Sequence, residues 1–270
     1  MLGLTTAITG DIPYQLAFNE FSLQLDGTDD CVSVVVAEDT YRSTNGFTVS
    51  FMVKLDDGQP SSEQTFFGLN DRTTDNLFKI NLKTSGEIII YHKANGDSAS
   101  CITDEAEFAN GAMSGWFRYT IVVNVTEEGG ADYGIYRNNT KLDTTKTDSV
   151  SATNYALFEC TGIATAIGAN FNNATGQFVD HIEGLIDEVA VWDIELTQSQ
   201  ITGLVSPPYV FDFNNSNSTY NKTSYLQNFY RFEEGSGTTV EDLSTNSNNG
   251  TIQGGAVFVS DVFHRGIGSA

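Results

Sequence analysis

Basic residues are scarce in this chain: 13 Lys and Arg stand against 35 Asp and Glu in 270 residues, a formal charge of −22. That balance excludes nucleic-acid binding led by phosphates, which needs a basic surface to release counterions. Cysteine is just as sparse. Cys31, Cys101 and Cys160 form an odd, scattered set without CxxC spacing, which speaks against a disulfide framework and against a zinc site. They read as small core or surface hydrophobes. The opening MLGLTTAITGDIPYQLAF has neither a basic leader nor a long apolar run, so it is read as carrying no secretory signal and no membrane anchor, in a chain made in a cytoplasm. His92, His181 and His264 have no Gly-x-Ser-x-Gly elbow or metal-binding spacing near them, and each is expected at a surface or turn.

What the chain has is apolar, aromatic and periodic. With 40% hydrophobic and 11% aromatic residues it can bury one large core. The period is two almost everywhere. In FTVSFMVKL, Phe47, Val49, Phe51, Val53 and Leu55 point one way, and FRYTIVVNV repeats the pattern with Phe117, Tyr119, Ile121, Val123 and Val125. Shorter strands are expected at SLQLD, LFKINL, GEIIIYH, YGIYR with TKLD, TAIGA and DEVAVW. Asn138 and Asn139 suit a tight hairpin because Asn tolerates positive φ. Many short strands between turns predict an all-β antiparallel sandwich or jelly roll.

One helix breaks the pattern. In ELTQSQITGLVSPP, Thr197 is the expected N-cap and Gln200 its capping-box partner, with Ile201, Leu204 and Val205 on one face and Pro207 and Pro208 ending the run. The polar stretch FDFNNSNSTYNKTS that follows reads as a linker or long surface loop.

IEGLIDEVAVWD raises the functional question, because an otherwise apolar strand holds Asp187 and Glu188 side by side. Strict alternation places Asp187 with Leu185, Val189 and Val191, and Glu188 with Ile186, Ala190 and Trp192. Neither face is polar. A carboxylate buried there has to be paired, hydrogen-bonded or metal-bound, since desolvating it alone costs several kcal/mol.

FSLQLDGTDDCVSV, GWFRYTIVV, YGIYRNNTKL, AIGANF and GLIDEVAVWDIELTQSQITGL resemble, in order, the signature stretches of the laminin G-like, concanavalin A-like jelly-roll family. The resemblance runs from about Phe21 to Val205. It implies a two-sheet antiparallel jelly-roll sandwich with one short helix. LQNFYRFEEGSGTTVEDLSTNSNNGTIQGGAVF resembles the stretch that opens such domains, yet it follows the helix, so the order looks permuted. The expected organisation is an arm over 1–20, the jelly roll over 21–205, a linker over 206–224, a strand segment over 225–258 that completes the sandwich in cis or in trans, and a tail over 259–270.

The resemblance also implies calcium, which prefers carboxylate and carbonyl oxygens. The positions that resemble the family's site are Asp187 with Glu188, Asp26 and Asp242. The alternative is that the two acids accept backbone hydrogen bonds or pair with Arg118 or Lys141. No catalytic pair is expected, because adjacent strand residues face opposite sides whereas a retaining glycosidase needs two carboxyls on one face. Tyr41, Phe66, Phe67, Phe171 and Phe178 stand in loop-like contexts as candidates for touching a sugar.

The function expected is a non-catalytic adhesion or assembly module. By resemblance it is a structural protein of a tailed phage virion, made in the host cytoplasm, that assembles with copies of itself or other virion proteins and binds glycan. The alternatives are a cell-surface or secreted lectin and a glycoside hydrolase. Neither nucleic acid nor membrane is an expected partner.

Overall fold

A computed structural model describes residues 19–35, 46–71, 76–94, 96–125, 131–147, 164–204 and 212–263. Strands β1 (Ser22–Asp26) and β2 (Cys31–Val35) flank an acidic turn, and β3 (Phe47–Leu55) and β4 (Gln64–Asn70) follow. A meander comes next: β5 (Leu77–Leu82), β6 (Ile88–Ala94), β7 (Asp97–Thr103) and, after a loop, β8 (Phe117–Val125). Then come β9 (Ala131–Arg137), β10 (Thr140–Lys141), β11 (Thr144–Thr147), β12 (Ala164–Ile167) and the small hairpin β13 (Asn170–Asn172) and β14 (Gln177–Val179). The long β15 (Glu183–Trp192) leads into helix α1 (Gln198–Leu204). The chain ends its described course with β16 (Leu226–Tyr230), β17 (Thr239–Val240), β18 (Gly250–Gln253) and β19 (Val257–Val259).

Two antiparallel sheets pack face to face. One runs β10-β9-β8-β3-β15-β1-β19 with β16 also on β15; the other runs β11-β7-β6-β5-β4-β12-β2-β18-β17. Alternation supplies the core between them: Phe47, Val49, Phe51, Val53 and Leu55 of β3 meet Tyr119, Ile121 and Val123 of β8, with Phe117 partly buried against them. The hairpin at Asn138 forms as expected, with φ +55. So does the cap of α1, where Thr197 N–H donates to Gln200 Oε1 at 2.9 Å and Gln200 N–H to Thr197 Oγ1 at 3.4 Å.

Several expectations meet a different structure. Phe66 and Phe67 are not loop residues: both lie in β4 and both face the core, because a bulge between Thr65 and Phe67 breaks the alternation. Phe213 and Tyr220, in the stretch read as a surface linker, are fully buried. They form a second apolar cluster with Trp192, Ile201, Leu204 and Phe229 on the outer face of the eight-stranded sheet. His92 is a core residue 1% exposed, its Nδ1 2.9 Å from the Tyr133 hydroxyl. Val259 closes β19, and Asp261 binds Lys54 at 2.6 Å, so chain beyond Phe258 is still built into the fold. Cys31 and Cys101 are buried and free. Cys160, His264, Tyr41, Val205, Pro207 and Pro208 lie outside the described residues.

Candidate functional site

The acid pair sits on a β-bulge. Ile186 lies opposite Val53 and Asp187 opposite Met52, but the next pair is Ala190 opposite Ser50, so β15 carries one extra residue. Glu188 takes it up at φ +51, a left-handed conformation that costs a side-chain-bearing residue roughly 1–2 kcal/mol. The parity of the strand flips as a result. Ile186 faces the main core before the bulge, Val189 and Val191 face it afterwards, and Ala190 and Trp192 join the outer cluster. The expected opposition of Asp187 and Glu188 across the sheet is therefore corrected. Gly184 lets β15 approach β3 here, since a Cβ at its φ of +138 would stand 2.7 Å from the Lys54 carbonyl.

Both carboxyls are wholly buried and locally compensated. Asp187 accepts from Asn19 Nδ2 at 3.0 Å and from the Glu188 N–H at 2.8 Å. Glu188 accepts from Arg231 Nε at 2.8 Å, while buried Arg118 stands nearby and donates to Ser50 Oγ at 3.1 Å. Thus the main partner of Glu188 is Arg231 rather than Arg118 or Lys141. Burial and the neighbouring Glu188 charge push Asp187 well above the usual carboxylate range. Burial also raises Glu188, against the pull of Arg231 and Arg118. Glu188 Oε2 and Asn19 Oδ1 are buried acceptors without a hydrogen-bond partner among the described residues.

The four acids expected to share calcium do not converge. Asp26 lies opposite Glu183, four residues and roughly 13 Å along β15 from Asp187. Asp242 is a buried hub that takes five donors: the N–H groups of Phe229, Ser244 and Asn248, the Asn228 amide and the Ser244 hydroxyl. Its oxygens are already committed. At the bulge, a cation would compete with two guanidinium groups, so that donor set does not fit a calcium ion. Asp26 instead gathers with Asp29 and Asp30 in the β1–β2 turn, their oxygens within 4.8 Å of one another. Burial, then the Asp26 charge, raises Asp30, while the N–H of Thr28 leads in holding Asp26 down despite some burial.

A third arrangement went unread in the sequence. Lys79 on β5, Tyr91 on β6, Ser100 on β7 and Thr147 on β11 lie directly opposite one another in successive strands. They form a row across the outer face of the nine-stranded sheet. Alternation makes this so, because Phe78, Ile80, Ile90 and Cys101 take the core side. Glu63 accepts from the Tyr91 hydroxyl at 3.1 Å and from Asn81 Nδ2 at 3.2 Å, and Asn81 Oδ1 accepts from Thr65. The Lys79 ammonium lies 5.0 Å from the centre of the Tyr91 ring and 3.6 Å from Asp180. Ser100 and Thr147 join hydroxyl to hydroxyl. Burial, then Glu63, pushes the Tyr91 hydroxyl up to about 12, so it stays a donor. Beside the row, Phe171 and Phe178 pack edge to face at 5.4 Å on the hairpin β13–β14. The signal was present in GEIIIYH, where Tyr91 alternates with Ile90 and His92.

A two-sheet antiparallel sandwich of this order defines the class of protein. The sequence profile of the concanavalin A-like lectin/glucanases superfamily matches residues 26–202, well over half of the chain, and the chain belongs to that family. Among solved structures, a candidate carbohydrate binding protein from Bacteroides ovatus shares the fold at 17% identity and a TM-score of 0.59, over 91% of this chain and 61% of that one. This chain therefore spans less than two thirds of that protein. A heptameric SAP-like pentraxin from Limulus polyphemus is similar at 12% identity and a TM-score of 0.53, over 90% of this chain and 96% of its own. No curated protein sequence matches the chain.

Proposed function

We propose that this chain is a non-catalytic glycan-binding module, with its ligand laid across the outer face of the nine-stranded sheet at Tyr91. The observation that carries the reading is the pre-set tyrosine: Glu63 holds its hydroxyl and Lys79 its ring before any ligand arrives. The two outer faces differ. Helix α1 and the 212–225 stretch cover that of the eight-stranded sheet with buried aromatics, whereas on the other sheet the hairpin β13–β14 lies against β4 and β12 and leaves Tyr91 and Ser100 partly exposed. A saccharide offers C–H faces to an aromatic ring and hydroxyls to fixed polar groups, and Tyr91, Ser100, Thr147 and Glu63 supply both. Fold by itself does not assign function. The sharing of this fold with a candidate carbohydrate binding protein supports the reading without carrying it.

The acid pair is not assigned a catalytic role. A glycosidase acid must reach the glycosidic oxygen, and both Asp187 and Glu188 are 0% exposed beneath Asn19 and Arg231. The test is a glycan array followed by calorimetry on the best binder, with wild type and Tyr91→Ala, and an assay for released reducing ends. Binding lost in Tyr91→Ala without hydrolysis is the expected result. Binding unchanged by Tyr91→Ala rejects the site, and reproducible hydrolysis rejects the non-catalytic reading.

A further inference from the structure

Residues 212–263 lie against the rest of the chain as a removable unit. Its strands occupy terminal positions in both sheets: β19 ends the eight-stranded sheet beside β1, and β18 with β17 ends the nine-stranded sheet beside β2. β16 takes the part of the β15 edge that β1 leaves open, pairing Val189–Trp192 where β1 pairs Glu183–Ile186. Taking the unit away breaks no strand pair within residues 19–204. Its underside is apolar, with Tyr230, Phe232, Val240 and Ile252 in the main core and Phe213, Tyr220 and Phe229 in the outer cluster.

The unit also carries its own polar centre. Asp242 binds Phe229, Asn228, Ser244 and Asn248, all within the unit, and the Tyr230 hydroxyl donates to the Asn248 carbonyl at 2.7 Å. The shape that docks is therefore specified by the unit itself. It joins the rest of the chain at one place, through the seven residues between Leu204 and Asp212, which can span about 25 Å when extended.

The geometry points to a homodimer formed by reciprocal exchange, in which residues 212–263 of each copy complete the sandwich of the other. The exchanged form keeps the contacts of the closed form: β16 on β15, β18 on β2, β19 on β1, and Arg231 on Glu188. Without the unit, β1, β2 and half of β15 present unpaired edges over an open core, and an identical unit from a second copy fits them as well as their own. Exchange joins two sheet faces in one particle, which strengthens attachment to a repeating ligand without any new contact.

Cys31 makes the test direct, because it lies opposite Gln253 in the β18–β2 pair. Full-length Gln253→Cys, oxidised, links internally if the unit is closed. Wild-type chain refolded together with a Cys31→Ala, Gln253→Cys chain can form the 31–253 link only between copies. The expected results are that this heterodimeric link appears by peptide mass spectrometry, and that light scattering shows a dimer whose share rises with the protein concentration during refolding. A mixture that yields no inter-copy link while Gln253→Cys alone closes internally overturns the proposal. If no 31–253 link forms in either arm, the scattering decides: wild type that is monomeric after refolding at every concentration overturns it too.

Discussion

Arg231 Nε stands 2.8 Å from Glu188 Oε1, a buried ion pair that ties the C-terminal unit to the bulge of β15. Glu188 is 0% exposed and Arg231 9%. Burial opposes the charged form of Arg231, yet Glu188 holds its pKa above the ordinary value.

Breaking that pair from one side leaves a charge stranded in the interior. Arg231→Met is expected to cost about 3–5 kcal/mol in denaturant unfolding. Adding Glu188→Gln should restore a good part of the loss, because the uncompensated charge is gone. A double variant no more stable than Arg231→Met would show that packing, not charge, sets the cost.

Asp187 predicts an unusual pH response. Its folded pKa is raised, so the folded chain takes up this proton before the unfolded chain does. Its contribution is therefore fully present below the unfolded value near 4 and is lost as pH rises through the folded value. Asp187→Asn should flatten stability between pH 4 and 8 and leave the protein at least as stable as wild type at pH 8, with Asn19 turning its amide to meet the new donor. Chemical unfolding at several pH values measures this. A large loss of stability at pH 8 would contradict it.

His92 acts with the opposite sign. Burial lowers its pKa to about 3, so the unfolded chain binds this proton from about pH 6.5 downward while the folded chain does not. Stability is thus lost as pH falls from 6.5 toward 3. His92→Phe should be less stable at neutral pH, since it strands the Tyr133 hydroxyl, but should lose less on acidification than wild type. An unchanged acid slope would remove His92 from the account.

At the proposed ligand face, Tyr91→Ala should weaken glycan binding roughly tenfold or more, about 1.4 kcal/mol, and Tyr91→Phe less. Glu63→Gln should fall between them, because it loosens both Tyr91 and Asn81. Thermal melts of the same variants separate lost binding from lost folding.

Calcium bears on the bulge through a comparison of melts. Because guanidinium groups already compensate Glu188, the difference between the melting temperatures in millimolar calcium and in chelator should be the same for wild type and Asp187→Asn. A difference present in wild type and absent in the variant would place a metal at the bulge after all.

The alternating strands, the hairpin at Asn138 and the capped helix were legible because each rests on neighbours in sequence: a period of two, a residue tolerant of positive φ, a side chain three residues from its N–H. Glu63 and Tyr91 were not, since their meeting depends on which strands lie side by side. Phe66, Phe67 and Glu188 escaped for a sharper reason: a single extra residue in β4 or β15 reverses the alternation from which side-chain direction is read.

The sequence by itself determined an all-β sandwich, and it marked Asp187 and Glu188 as acids that a buried strand must compensate. Only the tertiary structure decided how: Arg231, 43 residues away, and Asn19, 168 residues away, arrive where β1 and β16 meet along β15. Local sequence fixes which groups must be satisfied when water is removed. Which distant group does so depends on strand register and on where the bulge falls, and these are settled when the sheets close over the core.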